Sequence, residues 1–317
     1  MVDLVKELSL LGGISGREKP VRKFLISRLP SDVSYMVDPL GNLICHKAGR
    51  LGAGKNKIML CAHMDEVGLI ITYITEEGFL KFNAVGGIDP AVLIGRQVLL
   101  ESGLTGVIAL KHIHLCEKEE RTVIPKIQDL QIDIGARSGE EAEKRVALGE
   151  YACFCSSFLT FGDNNNRWKG KALDDRVGCA VLLNLLCSDL DYDVDAVFSV
   201  QEEVGARGAG AAAFRLRPDV ALILETTTAG DIPGAEEEKR ACLLGKGPVI
   251  PFMDKGTLYD RTLYQTAFSV AAAEGIPCQT KTVIAGGNDA SSVQAAGPGV
   301  RVLALSVPTR YLHSPVC

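Results

Sequence analysis

The alternation of apolar and polar positions is most regular after residue 170, where helical and strand-like patterns follow one another along the chain. The predicted helices are 175–187, 206–216 and 257–274. The predicted strands are 194–201, 220–224, 279–283 and 301–306. Alternation of this kind is typical of a parallel sheet with helices on both faces. The pattern therefore predicts an α/β fold with a doubly wound, mostly parallel sheet.

The beginning of the chain supplies further elements of the same sheet. Periodic apolar positions predict helices at 2–11 and 18–29. Short apolar runs separated by turn-forming residues predict strands at 34–37, 42–46 and 57–62. We expect these elements to complete the sheet that resumes after residue 170.

The middle of the chain has a different pattern, in which brief apolar runs alternate with Gly-rich turns and only 139–146 is helical. The predicted strands are 69–74, 79–82, 97–101, 106–110 and 153–158. The rhythm of strand and crossover helix is absent here. We therefore expect a small β-barrel-like domain, residues 68–161, inserted into a discontinuous domain made of residues 1–67 and 162–317.

Composition narrows the class of protein. The 317 residues are 47% hydrophobic and 23% charged, as in a folded soluble protein. A net charge of -5 without a basic stripe argues against nucleic acid as a partner. No apolar run reaches the length of about 18 residues that a membrane span needs, and the start lacks a signal-peptide pattern. We expect a cytoplasmic protein whose ten cysteines are reduced.

Chemistry-bearing side chains follow most of the predicted parallel strands. In an open α/β sheet, ligands bind beyond the carboxyl ends of the strands, so these positions are candidates for one site. Only five histidines occur in the chain, which makes those at strand ends informative. The candidates are His63, Asp65, Asp174, Asp175, Glu202, Glu203, Glu225 and His313.

Each candidate also has a simpler explanation. The tandem aspartates Asp174 and Asp175 could cap a helix, and His63 could be a hydrogen-bonded structural residue. The tandem glutamates could be a solvated strand end, Glu225 a loop residue and His313 a surface histidine. Several coincidences at one edge of the sheet are less probable than one site. By contrast, we read His112 and His114, among charged neighbours, as a solvated strand edge.

The collected side chains match the needs of two-metal hydrolysis. Two divalent ions about 3.5–4 Å apart need a bridging carboxylate and further nitrogen or oxygen ligands. A further carboxylate must accept a proton from the attacking water and pass it to the leaving amine. The tandem glutamates Glu202 and Glu203 suit this division, one binding a metal and its neighbour contacting the water.

The chain resembles the tetrahedral, or glutamyl-type, metalloaminopeptidases over essentially its whole length. The motifs that carry the resemblance occur in the expected order: Cys61-Ala-His-Met-Asp-Glu-Val-Gly68, Lys171-Ala-Leu-Asp-Asp-Arg-Val-Gly178, Gln201-Glu-Glu-Val-Gly205, Gly286-Gly-Asn-Asp-Ala290 and Arg310-Tyr-Leu-His-Ser-Pro-Val316. None of these motifs is specific singly, but their combination is.

The resemblance implies a role for each candidate. His63 and Glu225 would bind the first metal, Glu203 and His313 the second, and Asp174 would bridge the two. Glu202 would be the general base, and Asp65 would orient His63. The peptide bond between Asp174 and Asp175 would be cis. The position of Glu225 is more usually aspartate in such enzymes.

The resemblance also implies two divalent ions per subunit, peptide substrates and a hollow assembly of twelve subunits built in part by residues 68–161. A mixed imidazole and carboxylate donor set favours zinc or cobalt. We predict an aminopeptidase, whose preferred side chain stays open because family members accept acidic, basic or apolar residues. The alternatives are a metal-dependent deacylase or dipeptidase on the same scaffold, or a catalytically silent assembly protein.

Overall fold

A computed structural model describes the chain except for residues 111–113, 115–116 and 118–122. The interpretation of His112 as part of a solvated edge lies outside the described residues. In the part that is described, no helix is long and apolar enough to cross a membrane.

A mixed eight-stranded sheet forms the larger part of the molecule. Its strands are β1 (Val33–Val37), β2 (Leu43–Lys47), β3 (Ile58–His63), β12 (Val194–Ser199), β13 (Val220–Thr228), β14 (Val249–Pro251), β15 (Gln279–Lys281) and β16 (Arg301–Thr309). Their order across the sheet is β1-β2-β12-β3-β13-β16-β14-β15. The central strands β12, β3, β13 and β16 are parallel neighbours, whereas β1, β2 and β14 pair antiparallel.

Helices cover both faces of this sheet, as the sequence pattern predicts. The helices are α1 (Val2–Leu10), α2 (Lys19–Arg28), α4 (Leu173–Leu186), α5 (Arg207–Leu216), α6 (Arg261–Ala273) and α7 (Ala290–Gln294). One apolar core contains Leu8 of α1, Leu25 of α2 and Leu183 of α4. A second core contains Ala213 of α5 and Val293 of α7. Two cores on opposite faces confirm the doubly wound α/β architecture.

A separate closed barrel lies between β3 and β12 in the sequence. Its strands are β4 (Gly68–Ile74), β5 (Leu80–Val85), β6 (Gln97–Leu100), β7 (Thr105–Ala109), β8 (Gln131–Asp133) and β9 (Tyr151–Phe154), with the short helix α3 (Gly139–Glu143). Inward-facing side chains such as Leu80 and Phe82 fill its own apolar core. The small barrel is thus confirmed, and the division at residues 68 and 161 stays a prediction.

Several short elements were not expected from the pattern. They are the strands β8 and β14, the helix α7, and a hairpin of β10 (Leu159–Phe161) and β11 (Arg167–Lys169). Elements of three to five residues contain too few positions for a periodicity to be distinguished. The predicted helix 257–274 begins only at Arg261, because the side chain of Asp260 accepts the backbone N–H of Leu263 at 2.9 Å and caps it.

Candidate metal centre

The predicted metal ligands lie together at the carboxyl edge of the central strands. Because β3, β12, β13 and β16 run parallel side by side, the segments that follow them meet. His63 is the last residue of β3, Glu203 follows β12, and His313 follows β16. Glu225 lies within β13, which continues to Thr228, rather than after the strand as the pattern predicts. Asp174 lies at the start of α4.

Two groups of potential ligand atoms share Asp174, and a third joins His63 with Glu202 and Glu203. Asp174 Oδ1 lies 3.1 Å from His63 Nε2, and Glu225 Oε1 lies 3.5 Å from the same nitrogen. The other oxygen, Asp174 Oδ2, lies 3.4 Å from His313 Nε2, and Glu203 Oε2 lies 3.2 Å from it. The atoms of each group are close enough together to surround one ion. The two oxygens of one carboxylate therefore face two different potential ion sites.

Hydrogen bonds at the opposite ring nitrogens orient both imidazoles. His63 Nδ1 lies 3.1 Å from the backbone carbonyl oxygen of Asp65 and 3.5 Å from its carboxylate. His313 Nδ1 lies 2.7 Å from the carbonyl oxygen of Gly87, just beyond the barrel strand β5. Since a carbonyl only accepts, Nδ1 carries a proton in each ring, which makes Nε2 the nitrogen that can bind a metal once its own proton is displaced.

The site brings several buried carboxyl groups close together. Burial raises the pKa of the Glu203 and Glu225 carboxyls to about 8. It also raises the pKa of Glu202 to about 10. Burial disfavours a charged imidazole as well, but the carboxylates around it outweigh that effect and raise the pKa of His313 to about 9. In the described part of the chain, the ion pairs of Asp174, Glu203 and Glu225 are all with imidazoles.

This donor set fits divalent metal. Buried carboxylates without a lysine or arginine partner are costly unless a cation joins them. Imidazole nitrogens and carboxylate oxygens that converge on one point are ligands typical of zinc and similar ions. The arrangement thus has the chemistry of a metal centre rather than that of a set of structural ion pairs.

Asp65 contacts more than the histidine that the sequence assigns to it. Its Oδ1 accepts the backbone N–H of Glu202 at 3.0 Å, and its Oδ2 accepts that of Glu203 at 3.1 Å. Oδ2 also accepts the hydroxyl of Ser15 at 2.7 Å. One carboxylate therefore fixes the backbone of both tandem glutamates while lying close to His63.

The segment that carries Asp174 has an unusual backbone. The peptide bond between Asp174 and Asp175 is cis, as the family resemblance implies, and Ala172 has a left-handed φ of 51°. The carboxylate of Asp175 does not belong to the described groups of potential ligands. Its Oδ2 accepts the N–H of His63 at 3.3 Å, and its Oδ1 accepts that of Gly178 at 3.0 Å. Asp175 therefore ties the end of β3 to the start of α4.

The chain is similar in sequence and in fold to known proteins. The family model of the M42 glutamyl aminopeptidases matches residues 41–317. The chain belongs to this family. A lysyl aminopeptidase of Pyrococcus furiosus is 33% identical to this M42 chain, in an alignment covering 100% of the chain and 92% of the relative. The family resemblance predicted from the motifs is confirmed, and this M42 chain is an aminopeptidase.

Solved structures of similar proteins share the fold of this M42 aminopeptidase. An aminopeptidase from the archaeon Desulfurococcus kamchatkensis superposes with a TM-score of 0.93 at 37% identity, covering 99% of this chain and 88% of the other. The Pyrococcus horikoshii TET1 peptidase, described as able to assemble into a tetrahedron or a large octahedral shell, gives a TM-score of 0.85 at 37% identity. That alignment covers 99% of this chain and 93% of the other.

A buried cluster of charged residues lies beside the candidate metal centre and was not predicted from the sequence. Lys171 Nζ lies 2.7 Å and 2.8 Å from the two carboxylate oxygens of Glu66 and donates to the carbonyl of Leu11 at 2.8 Å. The guanidinium of Arg176 donates to the carbonyls of Met64 and Leu8 and lies 3.4 Å from Glu66. All three charged side chains are buried. The cluster clamps the residues on either side of Asp174 to the N-terminal segment.

Two signals could have revealed these supporting residues. Lys171 and Arg176 lie within the same motif as Asp174, and Arg176 directly precedes the apolar run 177–183, where a charged residue indicates a buried partner. The carbonyl of Gly87 left no such signal, because every residue has a backbone carbonyl.

Proposed function

We propose that this aminopeptidase removes N-terminal residues from short peptides with two divalent ions held at the two ligand groups. The observation that supports this most strongly is the placement of Asp174, whose two oxygens face His63 and His313 separately. His63 and Glu225 would hold the first ion, Glu203 and His313 would hold the second, and Asp174 would be a ligand common to both. Zinc or cobalt suit this mixed set of donors.

Two bound ions would supply Lewis-acid chemistry, polarising the scissile carbonyl and increasing the acidity of a water molecule. The protein's own residues hold the ligand side chains in the orientation that metal binding requires. Nδ1–H bonds to backbone carbonyls keep both imidazoles in the tautomer that binds through Nε2. The cluster of Lys171, Glu66 and Arg176 holds the segment that carries Asp174.

Glu202 is the general base in this proposal. It is adjacent to the ligand Glu203, and the Asp65 carboxylate anchors the backbone N–H groups of both. Burial raises its pKa to about 10, and positive charge brought beside it lowers that pKa towards neutrality, where a base is most effective. Its carboxylate accepts one proton from the attacking water and returns it to the amine nitrogen as the peptide bond breaks.

The family resemblance also supports proposals for the oligomeric state and the cellular location of the enzyme. We infer that the chain forms a homo-oligomer, of twelve subunits as the resemblance implies, with residues 68–161 contributing to the assembly. We also infer that it acts in the cytoplasm. Within a closed shell, peptides would be selected by size before their N-terminal residue is selected by the site.

The proposal is tested with aminoacyl-p-nitroanilides and N-acyl amino acids, assayed on metal-free protein and after addition of zinc or cobalt. We expect hydrolysis of the free-amine substrates only, abolished by chelation and restored by metal. Cleavage of N-acyl substrates alone would establish a deacylase instead. A fully metal-loaded protein that hydrolyses neither substrate would support the silent assembly protein and contradict the proposal.

A further inference from the structure

The loop that follows strand β5 of the barrel lies against the candidate metal centre. Its first two residues, Gly86 and Gly87, come directly after the last residue of β5. They lie beside Glu203 and His313, the two side chains proposed to hold the second ion alone. A role for this glycine pair in metal binding rests on the proposed two-ion function.

Gly86 packs closely against one ligand of the second ion. Its φ is 84°, a left-handed conformation that favours glycine. A methyl group in place of its hydrogen would lie 3.3 Å from Cβ of Glu203 and 2.8 Å from Cγ1 of Val67. Val67 belongs to the barrel core and the side chain of Glu203 is only 5% exposed, so packed neighbours enclose both. The loop can therefore lie this close to Glu203 because Gly86 has no side chain.

Gly87 contacts the other ligand of the second ion. Its carbonyl oxygen lies 2.7 Å from Nδ1 of His313, and a methyl group added to its Cα would lie 3.5 Å from the same nitrogen. The imidazole is 31% exposed, on a residue whose own φ is left-handed at 58°. Because packing holds a partly exposed ring less firmly, the bond to Gly87 has a large share in fixing its orientation.

The barrel fixes the loop on both sides of the glycine pair. Before it, Val85 of β5 pairs with Gly68 of β4. After it, the side chain of Asp89 accepts a backbone N–H at 2.9 Å and caps the short 3₁₀ helix Pro90–Val92. Leu93, the next residue, is buried in the barrel core. The position of the glycine pair is therefore set by the barrel.

The ligands proposed for the first ion alone are held by the sheet. His63 ends β3 and Glu225 lies within β13, which are parallel neighbours, and both side chains are buried. Nδ1 of His63 lies 3.1 Å from the carbonyl oxygen of Asp65, only two residues along the chain. A displacement of the barrel loop should therefore affect the second ion more than the first.

The geometry of a turn does not by itself account for Gly86. Gly95, Gly103 and Gly149 also have a left-handed φ in the barrel. At these three positions nothing in the described part of the chain lies within 4 Å of an added methyl group. At Gly86 the same backbone conformation coincides with close contact to a proposed ligand.

We propose that Gly86 and Gly87 are positioning residues for the second ion. Gly86 lets the barrel loop lie against Glu203, and the carbonyl of Gly87 holds the ring of His313. Through this pair the inserted barrel sets the affinity for the second ion, whereas the sheet sets the affinity for the first.

The test is titration of the metal-free protein with zinc, followed by calorimetry, in which the original protein should show two binding steps. The step that disappears in His313→Ala identifies the second ion. In Gly86→Ala the added methyl group displaces Glu203, so the affinity for the second ion should fall about tenfold or more, as when a group that orients a ligand is lost. The affinity for the first ion should stay within about twofold of the original. Gly87→Val tests the same idea through His313 without left-handed strain, and it should weaken the same step.

Gly95→Ala is the matched control, because it places a left-handed alanine in the barrel with open space around the methyl group. It should lower the temperature of unfolding and leave both zinc affinities within about twofold of the original. A loss of barrel stability alone is thereby separated from a displaced ligand.

A second step of unchanged affinity in either Gly86→Ala or Gly87→Val overturns the inference, and so does an equal fall for both ions or a similar fall in Gly95→Ala. If Gly86→Ala does not fold, Gly87→Val decides. A single binding step in the original protein would overturn the two-ion function and the inference with it. Two steps without a selective loss would overturn the inference alone.

Discussion

The carboxyl edge of the sheet and the inserted barrel differ in which residues adopt a left-handed backbone conformation. In the described part of 68–154, every residue with a left-handed φ is a glycine: Gly78, Gly86, Gly95, Gly103, Gly135 and Gly149. At the edge, non-glycine residues adopt this conformation: Ala172, Gln201, Tyr311 and His313. The barrel uses residues suited to its turns. At the edge, strained backbone is tolerated at and next to the residues whose side chains are proposed to bind the metals.

The interiors of the two regions differ in the same way. The barrel core consists of apolar side chains such as Leu80 and Phe82. Beneath the edge lie buried charges, including the cluster of Lys171, Glu66 and Arg176. Packed apolar surface stabilises the barrel, whereas the edge uses hydrogen bonds and ion pairs to hold strained segments in place. The difference indicates that the edge is shaped for function at some cost in stability.

The largest expected effect comes from removing the proposed base. Glu202→Gln keeps the shape of the side chain but cannot accept a proton, so kcat should fall by about 10³-fold. The free energy of unfolding should stay the same or rise, because a buried carboxyl is replaced by a neutral amide. Turnover, metal content and thermal unfolding measure these effects. An activity close to that of the original enzyme at full metal content would exclude Glu202 as the base.

The next largest effect compares a variant in the ionic cluster at the edge with a variant in the apolar core of the barrel. Lys171→Met leaves Glu66 with the backbone N–H of Gly13 and the longer contact to Arg176, and should lower the free energy of unfolding by about 3 kcal/mol. Phe82→Ala empties part of the barrel core and should cost a similar amount. Only Lys171→Met should also weaken metal binding, measured by titration calorimetry. Equal metal affinity in both variants would contradict a positioning role for the cluster.

Metal affinity should depend on pH. The raised pKa values of Glu203, Glu225 and His313 mean that the metal-free site holds protons at neutral pH. Metal needs ionised carboxylates and neutral imidazoles, so binding displaces those protons, and acidification opposes it. From pH 8.5 to pH 6.5 the affinity should fall by about tenfold per pH unit for each proton displaced. Equilibrium dialysis checks this, and an affinity independent of pH would contradict the assignment of ligands.

The smallest expected effects come from substitutions at two residues that have a left-handed backbone conformation, one in each region. Ala172→Gly relieves a left-handed alanine and should change the free energy of unfolding by no more than about 0.5 kcal/mol, since a more flexible unfolded chain offsets the relief. Gly149→Ala, with φ at 81° and open space around the added methyl, should lower it by about 1 kcal/mol. Chemical denaturation measures both. A loss in Ala172→Gly as large as in Gly149→Ala would show that Ala172 is not strained.

Much of the architecture follows from local patterns. Alternating strands and helices identified the parallel sheet, and parallel strands bring their carboxyl ends together, so His63, Glu203 and His313 could be expected at one edge. The short strand β8 and the hairpin of β10 and β11 were missed because three residues carry no usable periodicity. Their pairing depends on neighbours that are distant in the sequence.

The candidate site was predictable as a set of side chains but not as an arrangement. The sequence indicated which residues approach one another, and their roles as ligands and base stay predictions. The contact between His313 and the carbonyl of Gly87 spans 226 positions and involves a backbone atom. The bonds from Asp65 to the backbone of Glu202 and Glu203 also depend on the tertiary fold. Such contacts become visible only once the chain has folded.

We propose that Asp174 bridges two ions at this edge. The most direct test is anomalous diffraction, recorded at the absorption edge of zinc, from crystals of the zinc-loaded protein. We expect two peaks about 3.5–4 Å apart, one beside His63 and Glu225 and the other beside Glu203 and His313, with one Asp174 oxygen on each. A single peak at full occupancy, or two peaks that do not share Asp174, would contradict the account.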